Sequence, residues 1–143
     1  MIKMKLKDTY SVFVTKKLKE TKDFYVKWFG FSVYFESSYF ILLEASGDKP
    51  YYFGFMDENH PSSPPTTPAI HNNSGVFLTL EVDDAKAEYE KLQIAGISIH
   101  YPLTSEAWGQ LRFGVTDPNG VYIDIVEQTE PEGNYWEQYM TAN

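Results

Sequence analysis

The sequence predicts an α+β fold made of two tandem βαβββ modules, and two observations carry the prediction. An amphipathic helical segment that ends at a glycine occurs twice, first at Gly30 and again at Gly96. A glycine at such a position supplies the positive φ that favours the end of a helix. Each helical segment follows one strand-like stretch and precedes three others, so the order strand-helix-strand-strand-strand occurs twice along the chain.

The first module is predicted to cover residues 8–56. Its helix is expected at Lys19–Phe29, where Tyr25 and Phe29 lie on one apolar face. Its four strands are expected at Tyr10–Thr15, Phe31–Phe35, Tyr39–Ala45 and Tyr51–Met56.

The second module is predicted to cover residues 75–128. Its helix is expected at Asp84–Ala95, with Ala85, Tyr89 and Leu92 on the apolar face. Its four strands are expected at Val76–Val82, Ile97–Tyr101, Gln110–Thr116 and Val121–Glu127.

The remaining segments complete a chain whose 143 residues fit one domain, residues 1–143. Four prolines fall between residues 57 and 74, so this stretch is predicted to be an extended, irregular linker. Residues 129–143 form a C-terminal tail in which aromatic residues recur from Tyr135 to Tyr139.

The composition of its turn predicts a register for the last hairpin, since the Pro and Gly of Thr116–Gly120 suit a turn. If Val115 pairs with Val121, one face is apolar and the other is mixed. The apolar face then pairs Phe113 with Ile123 and Leu111 with Ile125; the mixed face pairs Gly114 with Tyr122, Arg112 with Asp124 and Gln110 with Val126. The apolar face is expected to pack on a helix, and the mixed face to look toward a cavity or solvent.

Four phrases, in order along this repeat, resemble the glyoxalase/bleomycin-resistance/extradiol dioxygenase (vicinal oxygen chelate) superfamily. They are Phe24-Tyr25 leading into Trp28-Phe29-Gly30-Phe31, then Leu80–Asp84, Trp108-Gly109-Gln110 and Asp117–Asp124. The resemblance covers nearly the whole chain, apart from the linker and the tail after about Glu130. It implies that each module curls into a half-open, mixed-sheet cup and that two modules together enclose a site.

The resemblance also implies where metal ligands would stand. Enzymes of the superfamily hold a divalent metal with His, Glu or Gln from the first and last strands of each module. Those positions fall here at Tyr10, Phe77 and the strand Tyr51–Phe55, none of which supplies such a residue, and at Asp124, which does supply a carboxylate. Because catalytic sites use about three protein ligands, a divalent metal is disfavoured and no cofactor is expected. The three histidines, His60, His71 and His100, are expected to be surface or edge residues.

Charge and composition argue against several classes of partner. The formal net charge is −8 and Arg112 is the single arginine, so the clustered positive charge that nucleic-acid binding needs is missing. No apolar run approaches the roughly 20 residues of a membrane span, and no signal-peptide pattern follows Met1, so a cytoplasmic location is expected.

Three functions stay open at this point. The favoured hypothesis is a metal-depleted binding protein of the bleomycin-resistance type, which sequesters a small aromatic or cationic molecule against aromatic walls. The first alternative is a glyoxalase-like lyase or isomerase, or a ring-cleaving dioxygenase, with a metal held by unexpected ligands or with Asp124 and a tyrosine as acid and base. The second alternative is an interaction or regulatory module without a small-molecule site. The resemblance also implies a homodimer, and the aromatic tail is expected either to cross its twofold interface or to cover its own chain.

No catalytic residue is assigned from the sequence. The predicted ligand-binding residues are Tyr10, Phe77, Trp108, Arg112, Tyr122 and Asp124. If Asp124 does no more than pair with Arg112, it is a structural ion-pair partner and not part of a site.

Overall fold

The computed structural model describes residues 3–58 and 75–140. The chain divides into two compact units, Met1–Ser74 and Gly75–Asn143. The described residues contain eight strands and two α-helices, arranged as βαβββ in each unit, and each unit has its own four-stranded mixed sheet. The predicted α+β fold of two tandem βαβββ modules is therefore confirmed.

The first unit has one α-helix and four strands. Its elements are β1 (Ser11–Thr15), α1 (Leu18–Phe29), β2 (Ser32–Glu36), β3 (Phe40–Ala45) and β4 (Tyr51–Asp57). The strand order is β1-β4-β3-β2, with β1 parallel to β4 and the other neighbours antiparallel. Asp57, predicted to begin the irregular linker, is the last residue of β4, and the prediction for residues 59–74 lies outside the described residues.

The core of the first unit forms between α1 and one face of this sheet. Tyr25 is fully buried, and its ring centroid lies 5.0 Å from that of Phe55 and 5.8 Å from that of Phe31. Burying aromatic rings of this size stabilises the unit by roughly 1.5–3 kcal/mol each. The helix ends at Gly30, whose φ of 69° is the left-handed conformation expected there.

The second unit repeats this arrangement. Its elements are β5 (Leu78–Glu81), α2 (Ala85–Ala95), β6 (Tyr101–Glu106), β7 (Gln110–Thr116) and β8 (Tyr122–Gln128). The strand order is β5-β8-β7-β6, with β5 parallel to β8. The Asp84 side chain accepts a hydrogen bond from the Ala87 N–H at 3.0 Å and caps α2, which ends at Gly96 with a φ of 93°. Helix α2 covers one face of the sheet, where the Tyr89 and Phe113 ring centroids are 5.1 Å apart.

Strand β6 corrects one sequence prediction. The alternating stretch Ile97–Tyr101 was expected to be a strand, but residues 97–100 lead irregularly out of Gly96 and the strand is Tyr101–Glu106. Pro102 lies within this strand although it has no N–H for a sheet ladder. The proline is accommodated because β6 is an edge strand whose register shifts between Tyr101 and Thr104.

The β7–β8 hairpin corrects a second prediction. Its register is displaced by two residues from the predicted one, so that Gly114 pairs with Asp124, and Arg112 pairs with Val126. The turn is longer than expected because Val121 belongs to it: the Asp117 carboxylate accepts hydrogen bonds from the N–H groups of Asn119 and Val121. A displacement of two residues leaves each side chain on its predicted face, since the pleat alternates with a period of two.

The tail forms a short 3-10 helix, Tyr135–Gln138, which contacts its own chain at the β6–β7 turn. None of the helices in the described part of the chain is long and apolar enough to cross a membrane.

Candidate functional site

The candidate site lies on the face of the second sheet that points away from α2. Phe113 on β7 contacts α2, so its neighbours Arg112 and Gly114 point to the opposite face. On β8 the same alternation buries Ile123 and Ile125 on the helix side and places Tyr122 and Asp124 with Arg112. The hairpin therefore presents one charged and aromatic surface at its centre.

Arg112 is the centre of this surface. Its Nε atom donates to Glu106 Oε2 at 2.8 Å, and its Nη1 atom donates to Asp124 Oδ2 at 3.1 Å. Its Nη2 atom forms an ion pair with the same Glu106 oxygen at 2.8 Å. Its guanidinium also lies 4.9 Å from the ring centroid of Trp108 and 5.6 Å from that of Tyr101. Burial by itself lowers the Arg112 pKa, but the hydrogen bond to Glu106 and the charge of Asp124 outweigh it and raise that pKa above its ordinary value.

Asp124 is buried and only half paired. Its side chain is 4% exposed, Oδ2 is bound to Arg112, and the buried Oδ1 has no hydrogen-bond partner among the described residues. A buried acceptor without a partner costs about 1–3 kcal/mol, and more when the group is charged. Such groups are rare in folded proteins, and one that lies in a cluster of polar and aromatic side chains is a candidate contact for a ligand.

A cavity of about 370 Å³ adjoins this cluster. It is lined by Phe77, His100, Tyr101, Arg112 and Tyr122. Tyr122 is central, since its ring centroid lies 6.0 Å from that of Phe77 and 5.5 Å from that of His100, both in edge-to-face geometry. Burial, assisted by the charge of Asp124, raises the pKa of the Tyr122 phenol, which therefore stays protonated at neutral pH.

Gly114 makes room for Tyr122. A Cβ atom at position 114 would overlap both the hydroxyl and the ring of Tyr122. The missing side chain thus lets the phenol lie diagonally across β7. The Arg112–Asp124 contact runs along the same diagonal. In the Gly114–Tyr122 pair and in the Arg112–Asp124 pair, the β8 residue lies two positions before the residue that pairs directly across the ladder. The contacts predicted for these two pairs exist, although the direct pairings behind the prediction were wrong.

The comparison with protein families decides the classification. The model described as the Glyoxalase/Bleomycin resistance protein/Dioxygenase superfamily matches residues 9–125. The chain belongs to this superfamily. No curated protein sequence matches it significantly.

Solved structures of the same superfamily share the fold. A glyoxalase/bleomycin resistance protein/dioxygenase from Nocardioides has a TM-score of 0.68 and 17% identity, covering 93% of this chain and 90% of that one. A glyoxalase-related enzyme from Fulvimarina pelagi has a TM-score of 0.67 and 19% identity, covering 86% and 89%. Lactoylglutathione lyase from Agrobacterium tumefaciens has a TM-score of 0.64 and 14% identity, covering 87% and 96%. The TM-scores establish the shared fold, whereas identities this low leave the activity of this chain open.

The residues present do not fit the divalent metal that the superfamily resemblance implies. At the ligand position Asp124, one carboxylate oxygen already binds the Arg112 guanidinium at 3.1 Å, so a fixed positive charge stands where a metal would need to approach. No group of three or more His, Asp or Glu side chains suitable for a metal occurs among residues 3–58 and 75–140. One available carboxylate oxygen falls short of the roughly three protein ligands that such sites use.

Five of the six predicted site residues lie together in the second unit. Trp108 lies against Arg112, Arg112 binds Asp124, and Phe77 contacts Tyr122. Phe77 directly precedes β5, although it was predicted inside the strand. Tyr10 belongs to the first unit, where it precedes β1 and is 51% exposed, and its part in a ligand site stays a prediction.

Three further residues of the site were missed or set aside in the sequence. Glu106 binds Arg112, Tyr101 donates its hydroxyl to Glu106 at 3.1 Å, and His100 lines the cavity. Because β6 was predicted at Ile97–Tyr101, Glu106 fell outside the predicted strand and was not considered for the site. A signal was available: Glu106 and Gln110 flank a three-residue turn that contains a glycine, Ala107–Gly109, which is typical of a hairpin. Histidine 100 was correctly expected to be exposed, but it borders the cavity.

Proposed function

We propose that this protein binds a small, flat, cationic or donor-bearing aromatic molecule in the second unit, without a metal, and sequesters it without transforming it. The observation that carries the proposal is the buried Asp124 Oδ1, which has no hydrogen-bond partner among the described residues. A ligand N–H group directed at this oxygen would satisfy it, and the bond would be strengthened by the carboxylate charge.

The charge of the cluster supports a cation over an anion. Glu106 and Asp124 contribute two formal negative charges against one formal positive charge on Arg112, so the group has a formal excess of one negative charge. Both carboxylates already bind the guanidinium, so an incoming anion would find this positive charge shared and would be repelled by the net negative charge of the cluster. Repulsion of that kind favours ligands with N–H donors and positive charge.

The walls of the cavity support an aromatic ligand. The cavity is lined by the aromatic side chains of Phe77, Tyr101 and Tyr122 and by the ring of His100. Aromatic faces attract both flat rings and cations. A volume of about 370 Å³ is at the small end of the roughly 300–1,000 Å³ of typical ligand pockets. A molecule with a single ring therefore fits better than a large one.

Three isosteric probes test the proposal by thermal shift. Benzamidinium, benzamide and benzoate have nearly the same shape and carry positive, zero and negative charge. Because a ligand raises stability only through binding to the folded state, the melting temperature should rise most with benzamidinium, less with benzamide and least with benzoate. No shift with any of the three probes, or a larger shift with benzoate, would refute the proposal.

Assembly and location form part of the same proposal. A homodimer and a cytoplasmic location stay predictions from the sequence. The enzymatic and interaction alternatives also stay predictions, because no contact in the described residues separates either of them from simple binding.

A further inference from the structure

The C-terminal segment, defined here as Thr129–Met140, is hydrogen-bonded along the whole β6–β7 turn. The three consecutive carbonyls of Ala107, Trp108 and Gly109 each accept one hydrogen bond from it. The donors are the Glu132 N–H at 2.9 Å, the Trp136 indole Nε1–H at 3.0 Å and the Thr129 N–H at 2.8 Å, respectively. Because the C-terminal segment binds three successive carbonyls, it fixes the backbone of the whole turn and not only one residue of it.

Gly109 permits this close approach. Its φ of 105° lies in a region that favours glycine, and a Cβ at this position would come within 2.8 Å of the Thr129 carbonyl oxygen and 3.0 Å of the Pro131 nitrogen. The backbone of the turn therefore packs directly against the backbone of the C-terminal segment.

The side chain at the middle of the turn connects this contact to the candidate site. The Trp108 ring lies 4.9 Å from the Arg112 guanidinium and 6.1 Å from the ring of Tyr135. Its own Nε1–H donates to Gln110 Oε1 at 2.8 Å, which restricts the rotation of the ring. Trp108 is therefore held from three directions, by its backbone carbonyl, its indole nitrogen and its ring face.

We infer that the C-terminal segment is a positioning element of the candidate site and that Trp136 is its positioning residue. By binding the Trp108 carbonyl, Trp136 keeps the Trp108 ring on the guanidinium of Arg112, and Arg112 in turn holds Glu106 and Asp124. The consequence for ligand affinity rests on the proposed function, whereas the effect on Arg112 does not.

The simpler role for the segment, as a cover over apolar surface, explains its structure less well. Trp136, Tyr139 and Met140 remain 47%, 58% and 72% exposed, so much of the apolar surface of the segment stays in solvent. A segment that served only as a cover would bury these side chains. The C-terminal segment instead donates hydrogen bonds to the three carbonyls of the turn.

A ligand-free experiment tests the inference. Because Arg112 is the single arginine of the chain, its Nε–H gives one assignable resonance in a nitrogen-15 correlation spectrum, and this proton is bonded to Glu106 beside the Trp108 ring. Trp136→Phe removes the indole donor and keeps an aromatic ring. We expect the Arg112 Nε–H resonance to move and its exchange with water to quicken by roughly two- to tenfold, the scale of one hydrogen bond. Trp28→Phe, in the first unit, makes the same chemical change and should leave both readouts unaltered.

A second variant guards against a weak effect of the single substitution. A chain ending at Glu130 lacks Tyr135 and Trp136, and should change both readouts in the same direction and further. Unaltered Arg112 resonance and exchange in both variants would overturn the inference and assign the segment a purely covering role. Failure of benzamidinium to bind the wild-type protein would refute the proposed function and leave this test intact.

Discussion

Replacing Asp124 by asparagine separates a ligand contact from a structural ion pair. The substitution keeps the size and shape of the side chain and removes its charge. The carboxylate is 4% exposed, with Oδ2 on Arg112 and Oδ1 without a partner in the described part of the chain. If Oδ1 receives a cationic donor, losing the charge should cost about 1–3 kcal/mol of binding free energy, which corresponds to roughly five- to 150-fold weaker binding of benzamidinium.

The same structure predicts a small effect of this substitution on stability. Arg112 keeps its hydrogen bond and its ion-pair contact to Glu106, both at 2.8 Å, and the asparagine carbonyl can still accept from Nη1. The substitution also removes a buried charge whose second oxygen lacks a partner. The free energy of unfolding should therefore change by no more than about 1 kcal/mol, which shifts the melting temperature by only about 2–4 °C in a chain of this size.

Calorimetric titration with benzamidinium and benzamide measures the effect. Asp124→Asn should lose the preference for benzamidinium, while Asp117→Asn serves as a matched control. Asp117 is also a buried carboxylate of this hairpin, but its Oδ1 binds the N–H groups of Asn119 and Val121. The control should lower the melting temperature and keep the preference. A lowered melting temperature with unchanged benzamidinium affinity in Asp124→Asn would refute the reasoning and leave Asp124 a structural partner of Arg112.

Four further predictions concern metal, packing, pH and assembly. Chelator treatment should leave the melting temperature unchanged, and stoichiometric zinc, nickel, manganese or iron retained through gel filtration would contradict this, with Asp124 the first ligand to examine. Gly114→Ala should displace the Tyr122 ring and cost roughly 1–3 kcal/mol in denaturant unfolding, whereas an unchanged midpoint would show that the ring relocates freely. Since burial raises the folded-state pKa of Tyr122, its contribution to stability is complete below the unfolded value of about 10 and is lost as pH rises through the folded value. The pKa values of Tyr52 and Tyr135 are also raised, so ultraviolet titration should show late-ionising tyrosines, and Tyr122→Phe should reduce that late signal without abolishing it. Sedimentation at micromolar concentration should show a homodimer, and a strict monomer would count against that prediction.

The fold could be predicted because its signals are local. Helix ends at Gly30 and Gly96, the period-two pattern of β7 and β8, and the repeated order of elements each depend on residues close together in sequence. The face assignment of Arg112 and Asp124 survived a wrong register because a displacement of two residues does not change the face. The register itself depended on how Asp117 binds the turn, which the composition of the turn does not specify.

The rest of the site depended on contacts that sequence patterns do not encode. Glu106 reaches Arg112 only because Pro102 is tolerated at a bulged edge of the sheet, and the alternation of Ile97 and Ile99 pointed to the wrong strand. The C-terminal segment was recognised as too aromatic to be fully exposed, but its contact with the β6–β7 turn is made through backbone carbonyls, which leave no trace in the residue types. Tertiary hydrogen bonds of this kind become visible only in the structure.

A crystal structure of the protein with benzamidinium tests the central claim most directly. The amidinium nitrogen should lie about 3 Å from Asp124 Oδ1, with the phenyl ring among Phe77, Tyr101 and Tyr122 and with Arg112 still bound to Glu106. A probe bound elsewhere with Asp124 Oδ1 still unpaired, or a metal ion coordinated by Asp124, would contradict the account.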